Sequence, residues 1–302
     1  MSAAIQCLPS GRAEAERLAR ILRAPYYGIA IHRFPDGEMR VTVGRSSPTV
    51  IIYAPLGRPN DKLLAILFAA EALRREGAKR LVLVAPYLCY MRQDTAFHAG
   101  EAVSQRVIGR LLATSIDRVI TVDAHLHRTA SLKEIFPGIE VDNLSAMPAI
   151  SSVLSAQGFD RRTIVVGPDT ESRPWVADLA RRLGSEHAVG KKTRASDRSV
   201  SISFADGALI AGRPALLVDD IVSSGGTLIA CARALIAAGA ISVDAVITHA
   251  LFGSELITEF SKAGIRSIRS TDSVPHPTNA IRLDELLSHA LQRELDAGEE
   301  AS

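Results

Sequence analysis

At 302 residues the chain is long for one hydrophobic core, so two domains of about 100–150 residues each are expected. Hydrophobic residues at 47% and charged residues at 23% are typical of a globular protein, while 5% aromatics and a net charge of +2 exclude a base-stacking or strongly basic nucleic-acid surface. Cys7, Cys89 and Cys231 lie too far apart for a disulfide framework or zinc site, and the absence of an ~18-residue apolar run or a signal pattern predicts a cytoplasmic protein without membrane partners.

Residues 13–22 have helical character, and 28–34 read as an exposed strand ending at the Pro35-Asp36-Gly37 turn. Residues 38–43 alternate as a half-buried strand and complete a hairpin. A strand at 49–53 precedes a helix over 60–75, whose apolar Leu64, Leu67, Phe68 and Ala72 fall on one stripe. After a buried strand at 80–85 comes a helix over 101–113, expected to bury Val103, Val107, Ile108, Leu111 and Leu112. The next strand, 117–123, delivers Asp123-Ala124-His125-Leu126-His127 at its C-terminal end. Strands alternating with helices at this spacing predict βαβ units and a parallel sheet.

The pattern restarts with a helix at 147–157, a strand at 163–166 and a helix at 175–183. Segments 188–192 and 199–204 flank a polar loop, and a strand over 216–222 leads into a helix over 228–235. A strand at 243–251, a helix at 256–263, a short strand at 265–268 and a last helix at 283–295 complete the chain. The expected organisation is α/β, with domains at 1–145 and 146–302.

Chemistry-bearing residues gather where strands end, which is where open α/β sheets bind ligands. The clearest stretch is Leu216-Leu217-Val218-Asp219-Asp220-Ile221-Val222-Ser223-Ser224-Gly225-Gly226-Thr227. A small-residue turn opening a helix offers free backbone N–H groups and a partial positive charge to an anion. Asp219 and Asp220 cannot serve that anion, but they suit sugar hydroxyls or a metal beside it. A phosphorylated sugar satisfies both halves. His125 and Asp169, at two other strand ends, make a sparse oxygen and nitrogen set suited to Mg²⁺ that keeps most of its waters and phosphate ligands, with His127 as a competing ligand. Lys192 and Arg194, one residue apart in a polar hairpin, are either a solvated tip or a lid carrying cations to a transferring group.

Several of these segments resemble motifs of the ribose-phosphate diphosphokinase (PRPP synthetase) family, in the order that family has them. They are Arg33-Phe34-Pro35-Asp36-Gly37-Glu38, Pro86-Tyr87 through Arg92-Gln93-Asp94, Gly100-Glu101-Ala102-Val103-Ser104 and Asp123-Ala124-His125. Val141-Asp142-Asn143-Leu144, Gly167-Pro168-Asp169, Lys192-Thr193-Arg194 and the 216–227 stretch follow. The turn and the Gly-Pro-Asp segment look most like the archaeal-type branch.

The resemblance implies two phosphoribosyltransferase-like domains, each with a largely parallel sheet flanked by helices. It implies Mg²⁺-dependent transfer of diphosphate from ATP to ribose 5-phosphate. Phe34, Asp36, Glu38, Arg92, Gln93 and Asp94 would then bind ATP, the first three reaching a neighbouring subunit's site in a homodimer or larger homo-oligomer. Asp219, Asp220, Ser223, Ser224, Gly225, Gly226 and Thr227 would hold ribose 5-phosphate. His125 and Asp169 would take the metal, and Lys192 and Arg194 would be the catalytic lid cations. A catalytically silent associated subunit and a plain phosphoribosyltransferase are the competing readings. Thr193 between the lid cations, Ser223-Ser224 in the turn and Thr95-Ala96-Phe97-His98-Ala99 after the Arg-Gln-Asp segment depart from bacterial housekeeping members. These departures leave nucleotide preference and control by ADP or phosphate open.

Overall fold

Short apolar runs become buried parallel strands, and the chain lays down the same arrangement twice. The computed structural model describes residues 3–196, 199–205 and 207–296. Unit 1 comprises Met1–Leu144, Ser273–Pro275 and Leu283–Ser302, and unit 2 comprises Ser145–Asp272 and His276–Arg282.

Unit 1 opens with β1 (Ala3–Cys7), α1 (Arg12–Leu22) and β2 (Tyr26–Gly28), then a hairpin of β3 (Ala30–Arg33) and β4 (Met39–Thr42). There follow β5 (Thr49–Tyr53), α2 (Asn60–Arg75), β6 (Arg80–Val84), α3 (Ser104–Ala113), β7 (Arg118–Val122) and β8 (Glu140–Leu144). The sheet order is β2-β1-β5-β6-β7-β8, with every pair parallel. Ile5, Ile51, Leu83 and Ile120 are fully buried in this sheet, as strands covered on both faces require.

Unit 2 contains α4 (Met147–Ala156), β9 (Ile164–Gly167), α5 (Arg173–Leu183), β10 (His187–Val189) and a hairpin of β11 (Lys191–Ser196) and β12 (Ser199–Ser203). It continues with β13 (Pro214–Val222), α6 (Gly226–Ala237), β14 (Ser242–Ala250), α7 (Leu256–Lys262), β15 (Ile265–Thr271) and β16 (Asn279–Ile281). Its order, β10-β9-β13-β14-β15-β16, again all parallel, repeats that of unit 1 term by term. In each unit the antiparallel hairpin leaves after the second strand, so the β3–β4 tip is the topological counterpart of the β11–β12 hairpin. The expected fold class, two α/β domains with parallel sheets flanked by helices, is the one adopted.

Three expectations need correction. The last helix, α8 (Asp284–Asp296), was expected in the second domain but belongs to unit 1. There Leu287 and Leu291 are buried, and Arg17 reaches Asp284 at 3.1 Å. In α2 the stripe that faces the core is Leu63, Ile66, Ala70 and Leu73, leaving Leu64 48% and Phe68 46% exposed. In α3, Ile108 and Leu112 are buried, whereas Val107 is 56% and Leu111 36% exposed. Each helix therefore carries a second apolar stripe that its own unit leaves uncovered.

Candidate functional site

In unit 2 the site grows from the C-terminal ends of β9 and β13. β13 carries its apolar residues into the sheet until Asp219, half-buried, and Asp220, 8% exposed. The carboxylates brace their own backbone: Asp219 Oδ1 accepts from the Asp220 N–H at 3.1 Å, and Asp220 Oδ1 from the Ile221 N–H at 2.8 Å. The turn then passes through Gly225 at φ 76°, ψ −9°, the residue that caps α6. A Cβ at Gly225 would lie 2.7 Å from the Phe260 ring, so both the left-handed backbone and the close approach demand glycine. No side chain caps α6, whose first N–H groups have no partner within the helix and carry its positive dipole end. Ser223, Ser224 and Gly226 are exposed around it, with Thr227 half-buried.

Asp169 follows β9, where Gly167 leaves room for the Ser172 hydroxyl that donates to the Asp169 carbonyl at 2.5 Å. Lys192, on β11, places Nζ 3.7 Å from Asp169 Oδ2, a loose ion pair. The backbone sets Arg194 on the same strand opposite Val200, but its side chain lies outside the described residues. Burial, then the neighbouring Asp220 and Asp169 carboxylates, push the Asp219 carboxyl well above its ordinary range, while Lys192 pulls the other way. The carboxylates of Asp169, Asp219 and Asp220 therefore repel one another, and Lys192 opposes that repulsion.

In unit 1 the β3–β4 tip is closed by backbone bonds from Phe34 N–H to the Glu38 carbonyl at 2.9 Å and from Gly37 N–H to the Phe34 carbonyl at 3.0 Å. Asp36 Oδ1 accepts from the Glu38 N–H at 3.1 Å, and the Phe34 ring, 38% exposed, packs edge-on to His32. Arg33 bonds Asp61 at 2.7 Å, which ties the hairpin to the first turn of α2. After β6, Arg92 is exposed and Gln93 half-buried, while the Asp94 carboxylate is 2% exposed and paired with Arg128 at 3.0 Å. Past β7, His125 Nδ1 lies 3.2 Å from His127 Nε2. The tautomer in which His125 donates from Nδ1 puts its lone pair at Nε2, as ligation requires.

Asp169, Lys192, Asp219, Asp220 and the 223–227 turn are therefore assembled in unit 2. Phe34, Asp36, Glu38, Arg92, Gln93, Asp94 and His125 all belong to unit 1. Arg128 is the residue that sequence reasoning missed. It pairs with Asp94 and stacks 5.6 Å over the Phe97 ring, and its only sequence signal was its place directly after the His-Leu-His segment. Asn143, named in the sequence only as part of the 141–144 motif, gains a role: its side-chain oxygen accepts from the Ala124 N–H at 2.8 Å and fixes the turn before His125.

Residues 4–115 match the N-terminal domain of ribose phosphate pyrophosphokinase, and residues 142–272 match the phosphoribosyl transferase domain. The ribose-phosphate pyrophosphokinase of Methanopyrus kandleri is 32% identical over 278 residues, covering 91% of this chain and 94% of its own. The chain belongs to the ribose-phosphate pyrophosphokinase family. It is an enzyme of that family's type. Ribose-phosphate pyrophosphokinase 2 of Archaeoglobus fulgidus is 32% identical over 93% of this chain and 97% of its own, and the Bradyrhizobium diazoefficiens enzyme 33% identical over 90% and 85%. The crystal structure of phosphoribosylpyrophosphate synthetase from Mycobacterium smegmatis shares the fold over the full length of both chains, with a TM-score of 0.83 at 24% identity.

Proposed function

We propose that the chain transfers the diphosphoryl group of ATP to the 1-hydroxyl of ribose 5-phosphate, giving PRPP and AMP. The observation that carries this reading is the unit 2 cluster, in which the glycine turn at the head of α6 adjoins Asp219 and Asp220. Ribose 5-phosphate takes its phosphate to the 223–227 turn and its hydroxyls to the two acids. The backbone bonds to the Asp219 and Asp220 carboxylates and the fixed turn at Gly225 hold these groups in place before the substrate arrives. Lys192 and Arg194 supply cations to the transferring oxygens.

The reading assigns ATP to unit 1, through Phe34, Asp36, Glu38, Arg92 and Gln93. Asp94 contributes by holding Arg128 in place. Magnesium ligation is assigned to Asp169 in unit 2 and, separately, to His125 in unit 1. The mutual repulsion of Asp219, Asp220 and Asp169 supports a divalent cation in unit 2, and among the described residues no group of three or more His, Cys, Asp or Glu could cage a metal alone. That fits an ion that takes one or two protein groups and draws the rest from phosphates and water. When bound, it neutralises charge on the diphosphate.

A homodimer or larger homo-oligomer is supported by the uncovered Leu64, Phe68, Val107 and Leu111 and by the exposed Phe34 at its hairpin tip. No described helix is long and apolar enough to cross a membrane, which is compatible with a cytoplasmic enzyme.

The test is AMP release from ATP, ribose 5-phosphate and Mg²⁺, repeated across nucleotides. AMP appearing only with all three present supports the proposal. Silence, with stimulation of an active partner, would indicate the regulatory subunit. Base-dependent diphosphate release from PRPP would indicate the plain transferase.

A further inference from the structure

Behind the phosphate-gripping turn stand three stacked rings that none of the assignments above uses. The Phe260 ring lies against the Gly225 backbone, closely enough to exclude any Cβ there. Phe252 meets Phe260 edge-on, with centroids 5.1 Å apart at 84°. His276 then meets Phe252 at 4.4 Å and 63°. Phe260 is 1% and Phe252 4% exposed, so the stack has no room to yield by moving into water.

His276 is the polar end of this stack, and its bonds fix its chemistry. Its Nδ1 faces the Thr278 N–H at 3.2 Å, a group that can only donate, so Nδ1 is the acceptor. The Thr278 hydroxyl lies 2.7 Å from the same nitrogen. Nε2 faces the Phe252 carbonyl at 3.0 Å, a group that can only accept, so Nε2 carries the hydrogen. The backbone on the other side is held as well, since Asn279 Oδ1 accepts from the His276 N–H at 2.8 Å. A neutral imidazole thus clamps both the ring and the carbonyl of Phe252. Immediately before it, the Leu251 N–H bonds the Val222 carbonyl at 2.9 Å, at the start of the turn.

We infer that His276 is a positioning residue for the phosphate turn, setting the height of Gly225 and the head of α6 through Phe252 and Phe260. It touches no substrate atom. The inference rests on the ribose 5-phosphate reading of this turn, and it names the part of unit 2 that tunes sugar-phosphate affinity. Closely packed interiors transmit displacements of a few tenths of an ångström, and N–H groups aimed at an anion are sensitive to shifts of that size.

The test compares His276→Ala, His276→Gln and Phe252→Leu with the wild type, with thermal melts to confirm folding. Turnover is measured together with calorimetric binding of ribose 5-phosphate. His276→Ala and Phe252→Leu are expected to raise the KM and Kd for ribose 5-phosphate about tenfold, the effect of losing one well-placed hydrogen bond, with kcat and the KM for ATP within about twofold. His276→Gln, whose amide donates from a similar position, should recover most of the affinity. An unchanged ribose 5-phosphate KM in folded His276→Ala overturns the inference, as does an equal loss in kcat and both KM values, or a Gln variant no better than Ala. If His276→Ala does not fold, Phe252→Leu and His276→Gln decide the matter by the same readouts. A wild type that binds ribose 5-phosphate but releases no AMP would overturn the diphosphate-transfer reading alone, with the variants' Kd values still judging His276. A wild type that binds no ribose 5-phosphate would overturn both.

Discussion

Arg118 and Glu294, 176 residues apart in sequence, meet in a buried ion pair at 2.8 Å, with their side chains 3% and 2% exposed. Arg80 adds a second bond to Glu294 at 2.6 Å, and Asp142 shares Arg118 at 2.7 Å. The network fastens α8 to the N-terminal ends of β6 and β7. Neutralising Glu294 leaves Arg118 away from water with Asp142 as its remaining carboxylate, and Arg80 with Glu140. Glu294→Gln is therefore expected to lower unfolding stability by less than a full break would, up to about 3 kcal/mol. Burial alone would raise the Glu294 carboxyl, but hydrogen bonds from Arg80 and Arg118 outweigh it and hold the group below its ordinary value of 4.5. A depressed carboxyl stabilises the fold above its unfolded value and loses that contribution as pH falls through the folded value. Urea melts between pH 7 and pH 3 should show this acid loss in the wild type and a flatter dependence in Glu294→Gln.

α8 also marks the limit of what the sequence discloses. The amphipathic pattern at 283–295 identifies a helix, but nothing local to it says that Arg118 is waiting for Glu294. The strands at 49–53 and 80–85 were legible because continuous β-branched and apolar runs have few alternatives. β8, Glu-Val-Asp-Asn-Leu, was not, because its burial is partial and its polar residues serve Arg118 and Ala124. The stripes of α2 and α3 failed for another reason. Periodicity finds apolar faces but does not rank them, and both helices have two. The strand, turn and helix around 216–227 were legible in order, though β13 starts two residues earlier and α6 opens at Gly226, two residues before the expected helix. Arg128 was hidden because its partner Asp94 is distant in sequence and near only in the fold.

Asp219 is expected to trade stability against function. Its carboxyl is raised by burial and by Asp220 and Asp169, so above its unfolded value near 3.8 the folded state must either bind a proton or tolerate repulsion. Its contribution therefore opposes folding as pH rises from that value. Asp219→Asn should raise the melting temperature at pH 7 and reduce the wild type's dependence on pH. The same change should raise the KM for ribose 5-phosphate and lower turnover, since the amide accepts fewer bonds from ribose hydroxyls. Calorimetric melts with and without ribose 5-phosphate would show the opposite signs.

Gly225→Ala should damage the turn in two ways. A side chain at φ 76° costs about 1–2 kcal/mol of backbone strain, and the methyl would press into Phe260. The combined loss is expected to reach about 2–4 kcal/mol in stability. Gly226→Ala, where a Cβ would meet nothing within 4 Å, should cost far less. Chemical denaturation of the two variants side by side provides the comparison.

The uncovered stripes on α2 and α3 predict association. Phe68→Asp and Val107→Asp each place a charge on an exposed apolar stripe, so neither should unfold unit 1. If a second copy covers either stripe, the matching variant will sediment as a smaller species at concentrations where the wild type is associated. Unchanged sedimentation of both variants would place any interface elsewhere.

Lys192 stands 3.7 Å from Asp169 and opposes the negative charge that Asp219 and Asp220 build up, yet it is only 21% exposed on a hairpin strand. At 3.7 Å the ion pair is loose and reached by solvent on both sides, so its contribution to folding is about 1 kcal/mol. Its value lies in the charge it can bring to a transferring phosphoryl oxygen, where removal of one such group costs about 10²–10³ in turnover. Lys192→Ala should therefore leave the melting temperature nearly unchanged, keep the KM for ribose 5-phosphate within a few fold, and lower kcat by that factor. Lys192→Arg keeps the charge but exchanges a compact ammonium for a planar fork, so part of the activity should return. Full turnover in Lys192→Ala would remove the β11–β12 hairpin from the chemistry and leave Asp169 as the only described group there outside the sugar-binding turn.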